Sequence, residues 1–392
     1  MTVHRGRWTS ADRAEAPYRY LPFEVPPGAP AVAVQLDYDR TVATLDLGVF
    51  DPAGFRGWSG GARGGFVLTP REATPGYLPG ELPAGEWRVV LGLYRVPAAG
   101  VGFTVRVRVG PASVPPAPPP PPPPPRPPRR ALPASPGRRW LAGDLHAHTV
   151  HSDGALTVAG LACLACGRGL DFLAVTDHNT VSHHAELPAA AAHAGLPLLP
   201  GQEVTTAAGH ANCLGAVGWV DFREPADAWL AAAEAGGGLL SLNHPLAGQL
   251  GWRQPLCRPA PLVEAWHGTW DGRDRAVLDW WLAAGGVPVG GSDFHRPGGD
   301  APPGTPTTWV EAEGGDVLAG LAAGRVALSA GPDGPVLLRH QGELVVAGGE
   351  GATLVAPDGA RRPVPGGRWS LPAGPGPYLL ADPSGRILAL TP

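Results

Sequence analysis

Asp144-Leu-His-Ala-His-Thr-Val-His-Ser-Asp-Gly154 (DLHAHTVHSDG) follows directly on a short apolar run that begins at Trp140. Residues two apart on a strand point to the same side, so His146 and His148 can chelate one ion together. Asp153 follows on a turn, ahead of a helix expected over 157–169. A His-x-His pair alone is a weak signal. Followed at this distance by Ser-Asp-Gly it is a much more specific one.

Working outward from this stretch, the same texture repeats. Short apolar runs read as strands at 140–146, 171–176, 196–201, 211–217, 238–243, 262–266 and 287–291, and Ala-rich stretches between them read as helices at 157–169, 182–194, 225–235, 273–284 and 315–323. Repeated strand–helix units with buried strands imply a parallel sheet, here with enough strands to close into a barrel. The C-terminal ends of such strands open into one mouth, so residues far apart in sequence converge there. Polar clusters fall at those ends in Thr176-Asp-His-Asn179, Gly201-Gln-Glu-Val-Thr-Thr206, Asn243-His-Pro245 and Gly291-Ser-Asp-Phe-His295, while Gly209-His-Ala-Asn212 stands at the head of a further strand. Of 13 histidines, eleven lie between His146 and His295.

Each cluster taken singly has a plainer explanation. His244 before proline can bond to backbone, and His178 can cap a helix. Nine ligand-type residues at strand ends are a different matter, because burying so many polar groups without partners costs several kcal/mol. Metal ions are the natural compensation. His146, His148, Asp153, His178, Glu203, His210, His244, Asp293 and His295 are therefore the candidate metal ligands, and mixed imidazole and carboxylate donors suit Zn²⁺, Mn²⁺ or Fe²⁺.

The rest of the chain divides around this core. Residues 1–112 alternate apolar and polar positions in strand-like runs at 31–36, 43–50, 87–94 and 103–109, with turn residues between them and no convincing helix. They are expected to form a β-sandwich that binds or docks rather than catalyses. Residues 113–138 include eight consecutive prolines, Pro118 to Pro125. That run reads as a polyproline spacer of roughly 40 Å. Residues 139–330 form the α/β barrel, and 331–392 a small β-rich segment.

Composition excludes little. With 44% hydrophobic and 16% charged residues the chain reads as globular, and a net charge of -4 gives no argument for nucleic acid or membrane as partner. All 30 basic residues are arginine, which reads as a coding bias. No apolar run suits a signal peptide or a membrane span. Four scattered cysteines are too few for a disulfide framework, so a reduced, cytoplasmic setting is expected, with Cys163 and Cys166 as buried helix residues.

In order and spacing, the motifs DLHAHTVHSDG, TDHNT, GQEVTT, GH-x-N, NHP and GSDFH resemble those of the PHP (polymerase and histidinol phosphatase) metallohydrolases, and in particular the carbaryl-hydrolase-like (CehA/McbA) branch. The resemblance covers about half the chain. It implies a distorted (β/α)7 barrel with two or three divalent ions at its mouth. By matching motif, His146, His148, Glu203 and Asp293 would hold one ion. Glu203 would share a second with His210 and His244, and Asp153, His178 and His295 would hold a third. Glu203, Asp293, His178 and His295 would be the catalytic positions. Asp153 stands where many members carry histidine. Within Glu264-Ala-Trp-His-Gly268 the family's asparagine is replaced by His267.

The leading functional expectation is hydrolysis of a small-molecule phosphoester by a metal-bridged hydroxide. Arg253, Arg258 and Arg296 are candidates to grip the phosphate, and His151 to touch the substrate. Asp144 is read as orienting the paired histidines, and His183, His184 and His193 as solvated. An ester, carbamate or amide hydrolase on the same metals is the alternative, for which Trp252, Trp266 and Trp270 would suit an aromatic leaving group. A binding protein with a vestigial barrel is the alternative of another class.

Overall fold

A computed structural model describes all 392 residues as two compact units, each with its own core. The first comprises Met1–Pro119 with two later segments, Val150–Gly154 and Asp177–Ala185; the second holds Pro120–Thr149, Ala155–Thr176 and Glu186–Pro392.

In the first unit the strands are β1 (Thr2–Trp8), β2 (Tyr18–Val25), β3 (Val32–Tyr38), β4 (Thr44–Asp51), β5 (Gly54–Gly60), β6 (Gly65–Leu68), β7 (Gly85–Arg95) and β8 (Val101–Val109). They form two four-stranded antiparallel sheets, in the orders β1-β8-β3-β6 and β2-β7-β4-β5. Period-two alternation explains the packing: Val101, Phe103, Val105 and Val107 of β8 turn inward to meet Leu45, Leu47 and Trp87 in one core. Burying each such side chain stabilises by about 1.5–3 kcal/mol. A six-residue helix, Ser10–Glu15, was not legible in the sequence; Thr9 and Asp12 close it with a reciprocal capping box.

The second unit is built on β9 (Arg138–Asp144), β10 (Phe172–Val175), β11 (Leu198–Thr206), β12 (Gly209–Leu214), β13 (Leu239–Leu242), β14 (Leu262–His267) and β15 (Val287–Gly291), which neighbour one another in that order. Helices Val158–Gly167, Leu187–Ala194, Ala226–Ala235 and Ala276–Ala284 lie between strands much where the sequence placed them. The sheet is mixed rather than uniformly parallel. β9, β10 and β11 are parallel, as are β13, β14 and β15, but β12 runs against both its neighbours. The physical reason is length: Ala207 and Ala208 alone join β11 to β12, and a parallel crossover needs about a dozen residues or more. An isolated parallel bridge, Ala147 to Phe294, links the segments just beyond β9 and β15, the two ends of this seven-strand run.

On the far side of β9 the sheet continues through β16 (Thr307–Glu313) and β17 (Val326–Ser329) into strand Ile387–Thr391. The C-terminal segment, expected as a small appendage, therefore extends the large sheet. Its Val336 and Leu338 pack into the same core as Trp140 and Leu161. The proline-rich stretch also differs from a bare spacer, since from Pro120 onward it belongs to the second unit. Arg126 and Arg129 reach the buried carboxylate of Asp171 at 2.5 and 2.6 Å, and the Pro121 carbonyl meets His193 Nε2 at 2.8 Å. No helix is long and apolar enough to cross a membrane.

One glycine fixes how β9 meets β10. A Cβ on Gly143 would lie 2.1 Å from the ring of Phe172, which is itself buried. Gly143→Ala is expected to destabilise the protein by about 1–3 kcal/mol through overpacking. A denaturant midpoint equal to that of the parent protein would show that the strand can shift to absorb the methyl group.

Candidate metal centre

The donor residues arrive on two kinds of scaffold. The first is the pair of tripeptides 146–148 and 293–295, which run side by side: the Asp293 N–H donates to the His146 carbonyl at 2.9 Å, and the His148 N–H to the Phe294 carbonyl at 2.9 Å. Ala147 and Phe294 enter the hydrophobic core, so by strand alternation their flanking residues face the other way. The second is the β11–β12 hairpin, whose register sets Glu203 opposite Asn212 and Thr205 opposite His210. Cross-strand partners share a face, so the hairpin brings Glu203 and His210 together.

Glu203 is the hub. Fully buried, its Oε1 lies 3.2 Å from His146 Nε2, 3.2 Å from His210 Nδ1, 3.3 Å from His244 Nε2 and 2.9 Å from Asn243 Nδ2. Asp293 Oδ1 is 3.1 Å from His146 Nε2 and 2.9 Å from His148 Nε2. His295 stacks on His148 with ring centroids 4.2 Å apart. The Asp293 side chain is 23% exposed where those of His146, His148 and Glu203 are 0%, so the cluster opens to solvent on the Asp293 side. His244 and Asp293 adopt positive φ, at 28° and 52°. Non-glycine residues seldom do so, and such strain gathers at working sites.

These residues fit a metal ion. One donor atom from each of His146, His148, Glu203 and Asp293 lies within 4.8 Å of the others. His146 Nε2 is buried and makes no hydrogen bond, although two carboxylate oxygens lie just over 3 Å away. Its other nitrogen, Nδ1, meets Glu264 Oε1 at 3.0 Å. A proton held there leaves the Nε2 lone pair pointing into the cluster, as a metal-binding imidazole requires. The surrounding carboxylates draw positive charge to this point, whether a proton or a metal ion supplies it. Burial opposes charge on His146, yet Asp293, Glu203 and Glu264 together raise its pKa well above the ordinary imidazole value. Burial likewise opposes charge on Asp293, and His146 and His148 overcome it to hold the carboxyl well below its usual range. The nest favours a cation. Imidazoles and carboxylates converging in this way define a candidate centre for divalent metal ions.

Asp153 and His178 belong to the first unit, where Asp153 Oδ1 is 3.6 Å from His178 Nε2. The proposed substrate contacts are placed less favourably. Arg258 pairs with Glu234, and Arg253 donates to the carbonyls of Ala207 and Gln249, so both guanidinium groups are committed to fixing loops. His151 is buried with Nδ1 2.8 Å from Ser182 Oγ, which withdraws it from the role of substrate contact. Arg296 is exposed just past His295, its backbone N–H held by Asp300. His183 is not solvated but fully buried, 3.2 Å from Asp177.

Asp144 also does something other than orient the histidine rings. Its carboxylate accepts the backbone N–H groups of His146, Ser292 and Gly304, tying strand ends together. The ring of His146 is oriented instead by Glu264, which also accepts the His244 N–H at 2.7 Å. His267 joins the cluster through Asp293 Oδ2 at 3.3 Å. The missed signal was an acid in the middle of an apolar strand, Leu262–His267, where only a buried partner makes it affordable.

No family model matches the chain. Over 84 residues it is 43% identical to a 3′,5′-nucleoside bisphosphate phosphatase of Chromobacterium violaceum, a match covering 21% of this chain and 29% of that protein. Over 63 residues it is 38% identical to a 5′-3′ exoribonuclease of Haemophilus influenzae, covering 16% and 23%. The chain thus spans less than a third of the length of either relative. Among solved structures, a two-domain protein of Bacteroides vulgatus containing a predicted PHP-like metal-dependent phosphoesterase aligns with a TM-score of 0.46 at 17% identity, over 68% of this chain and 98% of that one. An amidohydrolase from Chromobacterium violaceum aligns with a TM-score of 0.30 at 20% identity, over 41% and 89%.

Proposed function

We propose that the protein is a PHP-type, metal-dependent phosphoesterase acting on a small-molecule phosphate. The observation that carries the proposal is the convergence of His146, His148, Glu203 and Asp293 on one buried point that opens to solvent beside Asp293. The sequence match to a bisphosphate phosphatase and an exoribonuclease favours phosphorus as the reacting centre, since both names describe cleavage of phosphoester bonds.

In this reading His146, His148, Glu203 and Asp293 would hold one ion, and Glu203 would help hold a second with His210 and His244. Asp153 and His178, in the first unit, would help hold a third. Bound divalent ions supply Lewis acidity, lowering the pKa of water and neutralising phosphoryl oxygens. The chain's own part is placement. Glu264 keeps the His146 proton on Nδ1, Asn243 steadies Glu203, and His267 steadies Asp293. Arg296, exposed beside the Asp293–His295 motif, is the remaining candidate to grip an anionic substrate.

The alternative chemistry of the carbaryl-hydrolase-like branch, cleavage of a carbamate, ester or amide, has less behind it. Trp266 is buried in the fold, packed edge-on against Trp270 at 5.0 Å. The test is turnover of p-nitrophenyl phosphate, its bis ester and a naphthyl carbamate by metal-reconstituted protein, with Asp293→Ala as control. Phosphoester turnover that disappears in the variant is the expected result. Carbamate turnover without phosphoester turnover would reject the proposed chemistry.

A further inference from the structure

The first unit contains more than the β-sandwich. Segments Val150–Gly154 and Asp177–Ala185 belong to it, and they carry Asp153 and His178. Arg63, in the turn between β5 and β6, donates through Nη1 to the Ser152 carbonyl at 2.9 Å and through Nη2 to the Val150 carbonyl. The two carbonyls bracket the stretch that leads into Asp153. Gly76 holds the other segment: its N–H donates to Ser182 Oγ at 3.0 Å, and its carbonyl accepts Thr180 Oγ1 at 3.0 Å. Only glycine suits that position. Its φ is +99°, and a Cβ would lie 2.8 Å from the His151 carbonyl and 2.8 Å from that of Trp58.

Asp177 then ties the two segments together. It accepts the Ser152 N–H at 3.0 Å and the Ser152 hydroxyl at 2.6 Å, and it faces His183 Nδ1 at 3.2 Å. Burial lowers the pKa of Arg63, and Tyr77, Asp177 and Asp153 act against that lowering.

We infer that Arg63, in the N-terminal β domain, is a positioning residue for the ion that Asp153 and His178 of the same unit would hold. The inference rests on the ligand assignment proposed above. Asp153 needs such help: its side chain is 44% exposed and stands on a turn, where no ladder fixes it. A ligand must be held to within about 0.5 Å to keep its ion. Arginine is suited to the task because its planar fork reaches two carbonyls at once, whereas an ammonium on a flexible stem cannot hold both in a fixed geometry.

The test is metal content per chain, with chelator competition for each ion's affinity, in full-length wild type, Asp153→Ala, Arg63→Met and Arg63→Lys. Asp153→Ala should lose one ion. Arg63→Met should weaken that same ion by roughly 10–100-fold, the range found when a ligand's supporting partner is removed, and leave the others in place. Arg63→Lys should fall between Met and wild type. If Arg63→Met does not fold, Arg63→Lys decides by the same reading. Wild-type affinity for every ion in the Arg63 variants, while Asp153→Ala loses one, would overturn the inference alone. A full metal complement in Asp153→Ala would overturn the ligand assignment and the inference with it.

Discussion

Glu203→Ala protein is expected to retain little bound metal and to turn over phosphoester at least about 1,000-fold more slowly than wild type, a loss of roughly 4 kcal/mol in transition-state stabilisation. The expectation follows from position. Glu203 Oε1 lies within 3.3 Å of His146, His210 and His244, so its loss disturbs three of the proposed ligands at once. Removing it takes away the shared donor and leaves the Asn243 amide, now buried, without its acceptor. An orphaned buried donor costs about 1–3 kcal/mol, so the apoprotein should also melt earlier. Glu203→Gln separates these effects. An amide of the same shape can still accept from Asn243 and should restore most of the stability, but it lacks the charge that balances a dication and should not restore metal. Elemental analysis with a steady-state assay reads both outcomes. An alanine variant that keeps its full metal content and its activity would remove Glu203 from the centre and end the phosphoesterase reading.

Much of this centre was legible in the sequence because its ligands sit on regular scaffolds with short periods. Two-residue spacing in His146-Ala-His148 and Asp293-Phe-His295 fixes which side chains share a face, whatever the tertiary structure does later. What was not legible depends on pairing between distant segments. The antiparallel β12 arises from a two-residue connection that, in the sequence, looked like one more strand in a parallel series. That reversal is also what sets His210 on the same face as Glu203. Arg253 and Arg258 carry the right charge for a phosphate but are drawn off by nearby carbonyls and Glu234, partners that no local pattern announces. Arg63 and Gly76 lie in a segment that reads as ordinary turn. Their importance exists only in relation to residues some 90 to 110 positions away.

Glu264 is the clearest case of a residue whose weight comes from its contacts rather than its motif, and it supports the second large prediction. Glu264→Gln is expected to weaken metal binding by about 10–100-fold and to slow turnover correspondingly, although the side chain is not among the proposed ligands. Its Oε1 holds His146 Nδ1 at 3.0 Å and its Oε2 accepts the His244 N–H at 2.7 Å, so one buried carboxylate orients one ligand ring and anchors the backbone of another. Burial works against its charge, but His146, His267 and His244 together hold its pKa below the ordinary glutamate value, so the group present is the carboxylate. A neutral amide can present its oxygen to only one of the two donors and would point its N–H₂ at the other. The His146 ring is then no longer fixed in the tautomer that turns Nε2 toward Glu203 and Asp293. Glu264→Ala should lose metal affinity to a similar extent and stability in addition, because both donors are orphaned. Affinity measured by chelator competition discriminates this account from a purely structural one: a Gln variant with lowered melting temperature but unchanged metal affinity would confine Glu264 to the fold, whereas unchanged melting of the apoprotein with weakened metal binding would place its effect on the ligands themselves.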